Sequence, residues 1–274
     1  MQKEKQSMLW EDLSTWDFQA VVEKSEGVCV LPIGVQEKHG DHLPLGTDMF
    51  IVRALAEKAA EKSFSVVFPY YFLGQIAEAR HVKGTLAASH RLIMDAMLEM
   101  CDEIHRNGFK KIIILSGHGG NWHFLPFFAQ QYPGISRPYA VYTCFAHNLK
   151  NEQLKAIKTR SGEENMGGHA GFLETSLIMH IRPDLVHMDR VKVDESISLE
   201  RLNHLQELNI YSGFDWYAKF PHHFAGDPSR ASGEHGAFIF DILLGNIVNI
   251  IDSIKADKMS PKLIEEYNKA CKEL

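Results

Sequence analysis

Short runs of consecutive apolar residues alternate, over the first half of the chain, with stretches whose apolar positions recur every three or four residues. The short runs are VCVLPI (Val28–Ile33), SVVFPY (65–70), KIIILS (Lys111–Ser116) and YAVYTCF (139–145). A strand that is apolar at successive positions buries both faces, which is the habit of parallel sheets covered on two sides. Between these runs the 3.6-residue period predicts helices over 49–62 and from about 91 to 106, and another after Asn121. In the second of these, Leu92, Met97, Met100, Cys101 and Ile104 are the expected inward residues. Strands separated by helices predict an α/β fold, a three-layer α/β/α sandwich around a mainly parallel sheet.

Beyond Asn148 the pattern becomes helical and loop-rich. HAGFLETSLIMHI (169–181) and ASGEHGAFIFDILLGNIVNIIDSIK (231–255) both read as helices. The segment 189–226 has weak periodicity and many polar or aromatic residues, so it is expected either to pass over a site or to form an oligomer contact. No repeat, low-complexity tract or Pro/Gly/Ser linker divides the chain, and 1–274 is read as a single domain.

Composition narrows the partners. The formal net charge is −6, which disfavours a nucleic-acid binder, because neutralising phosphates takes clustered Lys and Arg. The four cysteines, Cys29, Cys101, Cys144 and Cys271, show no C-x-x-C spacing and are expected to be reduced. The N-terminus MQKEKQSMLWEDL lacks an apolar leader, and the most apolar late segment is interrupted by Asp241, Asn246, Asn249 and Asp252. The expectation is a cytoplasmic protein with no membrane span.

Candidate chemistry gathers after the apolar runs, where open α/β sheets bind their ligands. GVQEKHGDHLPLGTD, directly after the first run, carries Glu37, His39, His42 and Asp48; GHGGN, after the third, carries His118. Carboxylate oxygen with imidazole nitrogen suits zinc, manganese or iron, and an odd aspartate can bridge two ions. Two ions ~3.5–4 Å apart can share a hydroxide nucleophile and polarise a carbonyl. A third cluster, GGHAGFLETS, holds His169 and Glu174. Five residues along a helix end about 140° off the same face, so the two reach one site only if His169 precedes the helix. His169 is then free to shuttle a proton near neutral pH. His42 and His123 read as residues that support the ligands or are merely structural rather than as ligands, and the pair His222–His223 is set aside because sequence neighbours rarely aim at one ion. GHGG alone is a loop signal of low specificity; the conjunction of three glycine-flanked clusters is what carries weight.

At these residues the chain resembles the creatininase (creatinine amidohydrolase) family, whose pattern is similar to LPIGVQEKHGDHLPLGTD, GHGGN, HAGxxETS and a late GDPSRAS, in that order. The resemblance implies a binuclear metal site in a three-layer α/β fold, hydrolysis of cyclic or otherwise non-peptide amide C–N bonds in a small-molecule substrate, and a homohexamer. Carried over by position, Glu37, Asp48 and His118 hold one divalent ion and His39 and Asp48 the other, with zinc expected first and manganese or iron as alternatives. His169 is implied as the group that protonates the leaving nitrogen.

Two departures bear on this. Creatininases proper place an acid two residues after the strand-end histidine, where this chain has Gly120, and Glu174 is the expected replacement ligand. In ARHVKGTLAAS, Val82-Lys83 stand where the family has Phe-Pro; a lysine near the pocket would favour a substrate bearing a carboxylate or phosphate, and the equal alternative is a surface lysine with no contact to substrate. Alternatives left open are a formamidopyrimidine-type deformylase or other cofactor-pathway hydrolase and, outside enzymes, an anion-binding module built on the GHGG loop.

Overall fold

The structure, a computed structural model, describes residues 7–273. The leader reading made on the N-terminus therefore falls partly, over 1–6, outside the described residues. In chain order the elements are α1 (Thr15–Lys24), β1 (Val28–Ile33), α2 (Thr47–Lys62), β2 (Val66–Val67), α3 (His90–Arg106), β3 (Lys111–Ser116), α4 (Asn121–Gln130), α5 (Tyr132–Ile135), β4 (Ala140–Phe145), α6 (Asn151–Ser161), α7 (Phe172–Ile181), α8 (Asn203–Gln206), α9 (Asp215–Lys219), α10 (Gly233–Ala256) and α11 (Met259–Lys272).

Among the described residues four strands form one sheet in the order β2-β1-β3-β4, all parallel. Alternation along the central strands divides the core. Val28, Val30, Ile113 and Leu115 pack with α2, α7 and α10, while Cys29, Leu31, Ile33, Ile112 and Ile114 pack with α1, α3 and α4. Those two apolar layers on either side of the sheet are the predicted three-layer sandwich.

Several boundaries differ from expectation. The second strand is only Val66–Val67, because Pro69 has no N–H to continue the ladder. In α3 the inward stripe is Ile93, Met97, Cys101 and Ile104; Leu92 is exposed and Met100 half-buried, one position off the buried face. Helices α1 and α11 were not anticipated, since neither buries a continuous stripe.

Helix α10 is long and apolar enough to cross a membrane, yet Ile239, Leu243, Ile247 and Ile251 are buried in the core shared with α2 and α7. Asp241, Gly245, Asn249 and Asp252 fall on its exposed face. Its C-terminus is tied to the sheet by Lys111, whose Nζ donates to the carbonyls of Ile254, Lys255 and Asp257 at 2.7, 2.9 and 2.6 Å. An ammonium at a helix C-terminus meets both orphan carbonyls and the negative end of the macrodipole. Lys111→Met should therefore lower stability by about 2 kcal/mol. A urea midpoint shift at unchanged m-value checks this, and an unmoved midpoint would show that water replaces the ammonium without loss.

Candidate active site

The ends of β1 and β3 lie level, with Ile33 opposite Ser116. The loop carrying Glu37 and His39 and the loop carrying His118 therefore leave the sheet side by side. Two glycines let α2 close over them: a Cβ on Gly34 would stand 2.4 Å from the Met49 amide nitrogen, and one on Gly117 would stand 2.6 Å from the Asp48 carbonyl oxygen. Asp48 thus sits in the first turn of α2, buried, where the helix dipole favours a negative charge.

The Asp48 carboxylate faces two histidines at once. Oδ2 is 3.0 Å from His118 Nδ1, and Oδ1 is 3.1 Å from His39 Nε2. Glu37 Oε1 completes the first group at 2.8 Å from His118 Nδ1; Glu174 Oε2 approaches the second at 3.8 Å from His39 Nε2. Within each trio, Glu37–Asp48–His118 and His39–Asp48–Glu174, the potential ligand atoms lie within 4.8 Å of one another. His169 stands in the loop before α7, as the geometry of a shared site requires, and its ring lies 4.1 Å from that of His39.

The outer nitrogens of both histidines are pinned to backbone carbonyls. His118 Nε2 donates to Gln75 at 2.7 Å, and His39 Nδ1 donates to Glu37 at 3.3 Å. Those tautomers aim the remaining lone pairs at carboxylate oxygens, an arrangement that is repulsive unless a proton or a cation lies between. Burial alone would lower both histidines, but Asp48 with Glu174 and Glu37 raises His39 to about 9, and Glu37 with Asp48 raises His118 well above its ordinary value. Buried Asp48 is held well below the usual carboxylate range by the same two histidines, against the upward pull of desolvation. Glu37 Oε1 and Asp48 Oδ2 are buried with no hydrogen-bond partner. The donor set, its tautomers and its orphaned oxygens fit divalent cations.

His223, set aside on sequence, is part of this site. Its Nε2 donates to Glu37 Oε2 in a short hydrogen bond, and its Nδ1 accepts from Trp216 Nε1 at 2.9 Å, which orients Glu37 with Oε1 toward His118. Burial holds His223 down to about 3, so it acts as a neutral donor. Its neighbour His222 is exposed, so the two do not aim at one ion; what the sequence reading missed is that His223 by itself holds a carboxylate of the site. His42, as expected, is structural: its Nε2 pairs with Thr175 Oγ1 at 3.0 Å.

His169 Nε2 donates to the Lys38 carbonyl at 2.6 Å, and burial beside His39 lowers its pKa to about 4. Glu174 Oε2 accepts from the Ala170 amide at 2.5 Å, anchoring it at the start of α7. The segment 189–226 passes over the site, where Ser196, Ser198, Trp216, Phe220 and His223 line a cavity of about 820 Å³. Lys83 does not line it but is exposed, and no lysine or arginine is among the lining residues. Of the two readings of Lys83, the exposed position fits the surface lysine, on the stretch where Gly84, with φ at +89°, passes beside Leu45.

A family model described as creatinine amidohydrolase matches residues 11–251. The chain is 27% identical to a creatinine amidohydrolase of Pseudomonas putida over 65% of its own length and 73% of that protein's. It is 25% identical to a mycofactocin precursor peptide peptidase of Mycobacterium ulcerans, covering 81% and 83% of the two chains. A 3-dehydro-scyllo-inosose hydrolase of Thermotoga maritima is 22% identical, over 85% and 80%. Among solved structures, a creatininase superposes with a TM-score of 0.75 at 21% identity, covering 90% of this chain and 98% of that one. Related creatininase structures include a Zn-Zn type and a manganese form, with TM-scores of 0.73 and 0.74 at 20% identity, each over 90% and 98%.

Proposed function

The chain belongs to the creatininase family, and from that premise we propose a metal-dependent amidohydrolase in which Glu37, Asp48 and His118 hold one divalent ion and His39, Asp48 and Glu174 a second. The observation that carries this reading is the Asp48 carboxylate, whose two oxygens each face a different histidine. Zinc suits the mixed nitrogen and oxygen donors, with manganese or iron as alternatives. When bound, such ions supply Lewis acidity and activate water at neutral pH.

The chain's own residues arrange the rest. His223 holds Glu37 in place, and Trp216 fixes the tautomer of His223. His169, neutral at pH 7, enters as a proton acceptor: its Nε2–H is committed to the Lys38 carbonyl, so Nδ1 keeps a lone pair. It takes a proton from the attacking water and returns it to the leaving nitrogen. Trp216 and Phe220 add aromatic surface to the cavity wall.

The substrate class is a small cyclic amide or formamide. Creatinine is expected to be turned over weakly, because Gly120 replaces the acid that creatininases proper carry there. A formamidopyrimidine-type deformylase falls within this reading. An anion-binding module does not suit the cavity, which is walled by carboxylates. Four free cysteines support a cytoplasmic location, and the exposed Ile197, Leu208, Tyr211 and Phe214 support assembly into a homohexamer.

Elemental analysis of protein purified without added metal, paired with assays on cyclic amides and formamides, tests the reading. Glu174→Gln keeps the volume and removes the charge, so it should weaken one ion and spare the ion on Glu37 and His118. Equal affinities in variant and wild type would leave Glu174 as a helix-terminus residue only.

A further inference from the structure

We propose that His81 is a positioning residue: its protonated ring clasps the covering segment to the turn Ala77–Ala79, so that the hold of His223 on Glu37 follows pH. The clasp needs no metal and stands apart from the hydrolase reading above.

His81 follows the single turn Ala77–Ala79 between β2 and α3, and both of its ring nitrogens face carbonyl oxygens. Nδ1 lies 3.1 Å from the carbonyl of Glu78, and Nε2 lies 2.8 Å from that of Pro221, 140 positions away on the covering segment. A carbonyl only accepts, and a neutral imidazole carries a single N–H. Both bonds therefore form together only on the imidazolium. Tyr217 of α9 meets the ring edge-on, with the centroids 4.8 Å apart, which leaves both nitrogens free to reach their carbonyls.

The Pro221 end matters because His223 follows two residues later. His223 takes a left-handed backbone, with φ at +53°, a strained conformation for any residue but glycine that persists only where neighbours hold it. On one side the hold is the pairing of His169 with Ala225, whose amides donate to each other's carbonyls at 2.6 and 2.9 Å. On the other side the bond from His81 to Pro221 ties the segment down. Between them the His223 ring links Trp216 to Glu37. The clasped arrangement binds one proton more than the released one, so acid favours it and rising pH frees one end of the ring. Glu78 and Arg80 flank His81 on its own stretch; Asp215, Tyr217 and Lys219 come from α9, which packs against that turn, and His222 and His223 from the residues beyond. In the metal-free chain His169 titrates at about 4, His223 at about 3 and His39 at about 9, so none of them passes its midpoint between about pH 5 and about pH 8. His222, exposed beside Glu195, is the rival source of a step in that window, and substitution separates the two.

The test is hydrogen–deuterium exchange of peptides covering 214–223, corrected for the intrinsic pH dependence of exchange, at about pH 5 and about pH 8. Wild type, His81→Gln and His81→Arg are compared as chelator-treated full-length chains, so that the metal state is the same at both pH values. In the wild type, protection should be about tenfold greater at the acid pH. His81→Gln has one donor nitrogen and no proton to gain, so its exchange should be fast at both pH values. His81→Arg keeps two donors throughout and should be slow at both. The indole N–H resonance of Trp216, which reports its bond to His223, should move with the same step in the wild type alone. A step of wild-type size in His81→Gln assigns the pH dependence to His222 and overturns the proposal. So does the absence of any step in the wild type, or a Trp216 signal that stays fixed while the peptides respond. The hydrolase reading is untouched by these outcomes and stands or falls on the metal analysis and amide assays.

Discussion

Replacing Asp48 with alanine should empty both metal positions together and reduce amide hydrolysis by more than about a hundredfold. The magnitude follows from comparison: losing a group that merely orients a ligand costs about 10–100-fold in metal affinity or activity, and Asp48 is proposed as a ligand to both ions. Its oxygens lie 3.0 and 3.1 Å from nitrogens of different histidines, so no neighbour can take over both contacts. The fold should survive, because the variant removes a buried carboxylate rather than core volume. Metal analysis and circular dichroism on the same sample check both halves. Wild-type metal content in Asp48→Ala would show that the carboxylate bridges nothing.

The second large effect is on stability and comes from one glycine. A Cβ on Gly236 of α10 would stand 1.9 Å from the Ser176 carbonyl oxygen and 2.6 Å from its carbonyl carbon, both backbone atoms of α7. Alanine is the better helix former by about 1 kcal/mol, so propensity alone predicts that Gly236→Ala stabilises. The clash decides otherwise: the two helices must separate, and overpacking of this kind costs about 3 kcal/mol. Gly245 on the same helix is the control. It is exposed, with nothing within 4 Å of a Cβ, so Gly245→Ala should stabilise by about 1 kcal/mol. Opposite signs in denaturant unfolding establish the close α7–α10 contact; equal signs would refute it. Since Glu174 rides on the first turn of α7, Gly236→Ala should also loosen the ion held by His39.

Some of this protein was legible in the chain alone. The runs at 28–33 and 111–116 declared themselves as strands, because residues apolar on both faces have few other stable homes, and each became a strand with the expected bounds. The acids and histidines following those runs were legible for a related reason: where a parallel strand ends, the chain must turn, and glycine beside polar residues marks that turn. The placement of His169 ahead of α7 was legible too, since helical geometry offers no other way for it and Glu174 to meet.

Other features needed the fold. His223 is 186 positions from Glu37 in sequence, and no local pattern announces that its Nε2 will hold that carboxylate. Trp216 and Glu78 come from segments without strong periodicity and reach the cavity through long-range packing alone. Lys83 shows the converse: its place in a motif allowed a reading near the substrate, and only the packed fold places it on the surface, outside the cavity lining. Periodicity and turn chemistry are local properties, carried by neighbouring residues. Which distant side chains share a cavity is decided by the level of the strand ends and the closeness of α2, α7 and α10, and those distances exist only once the core has packed.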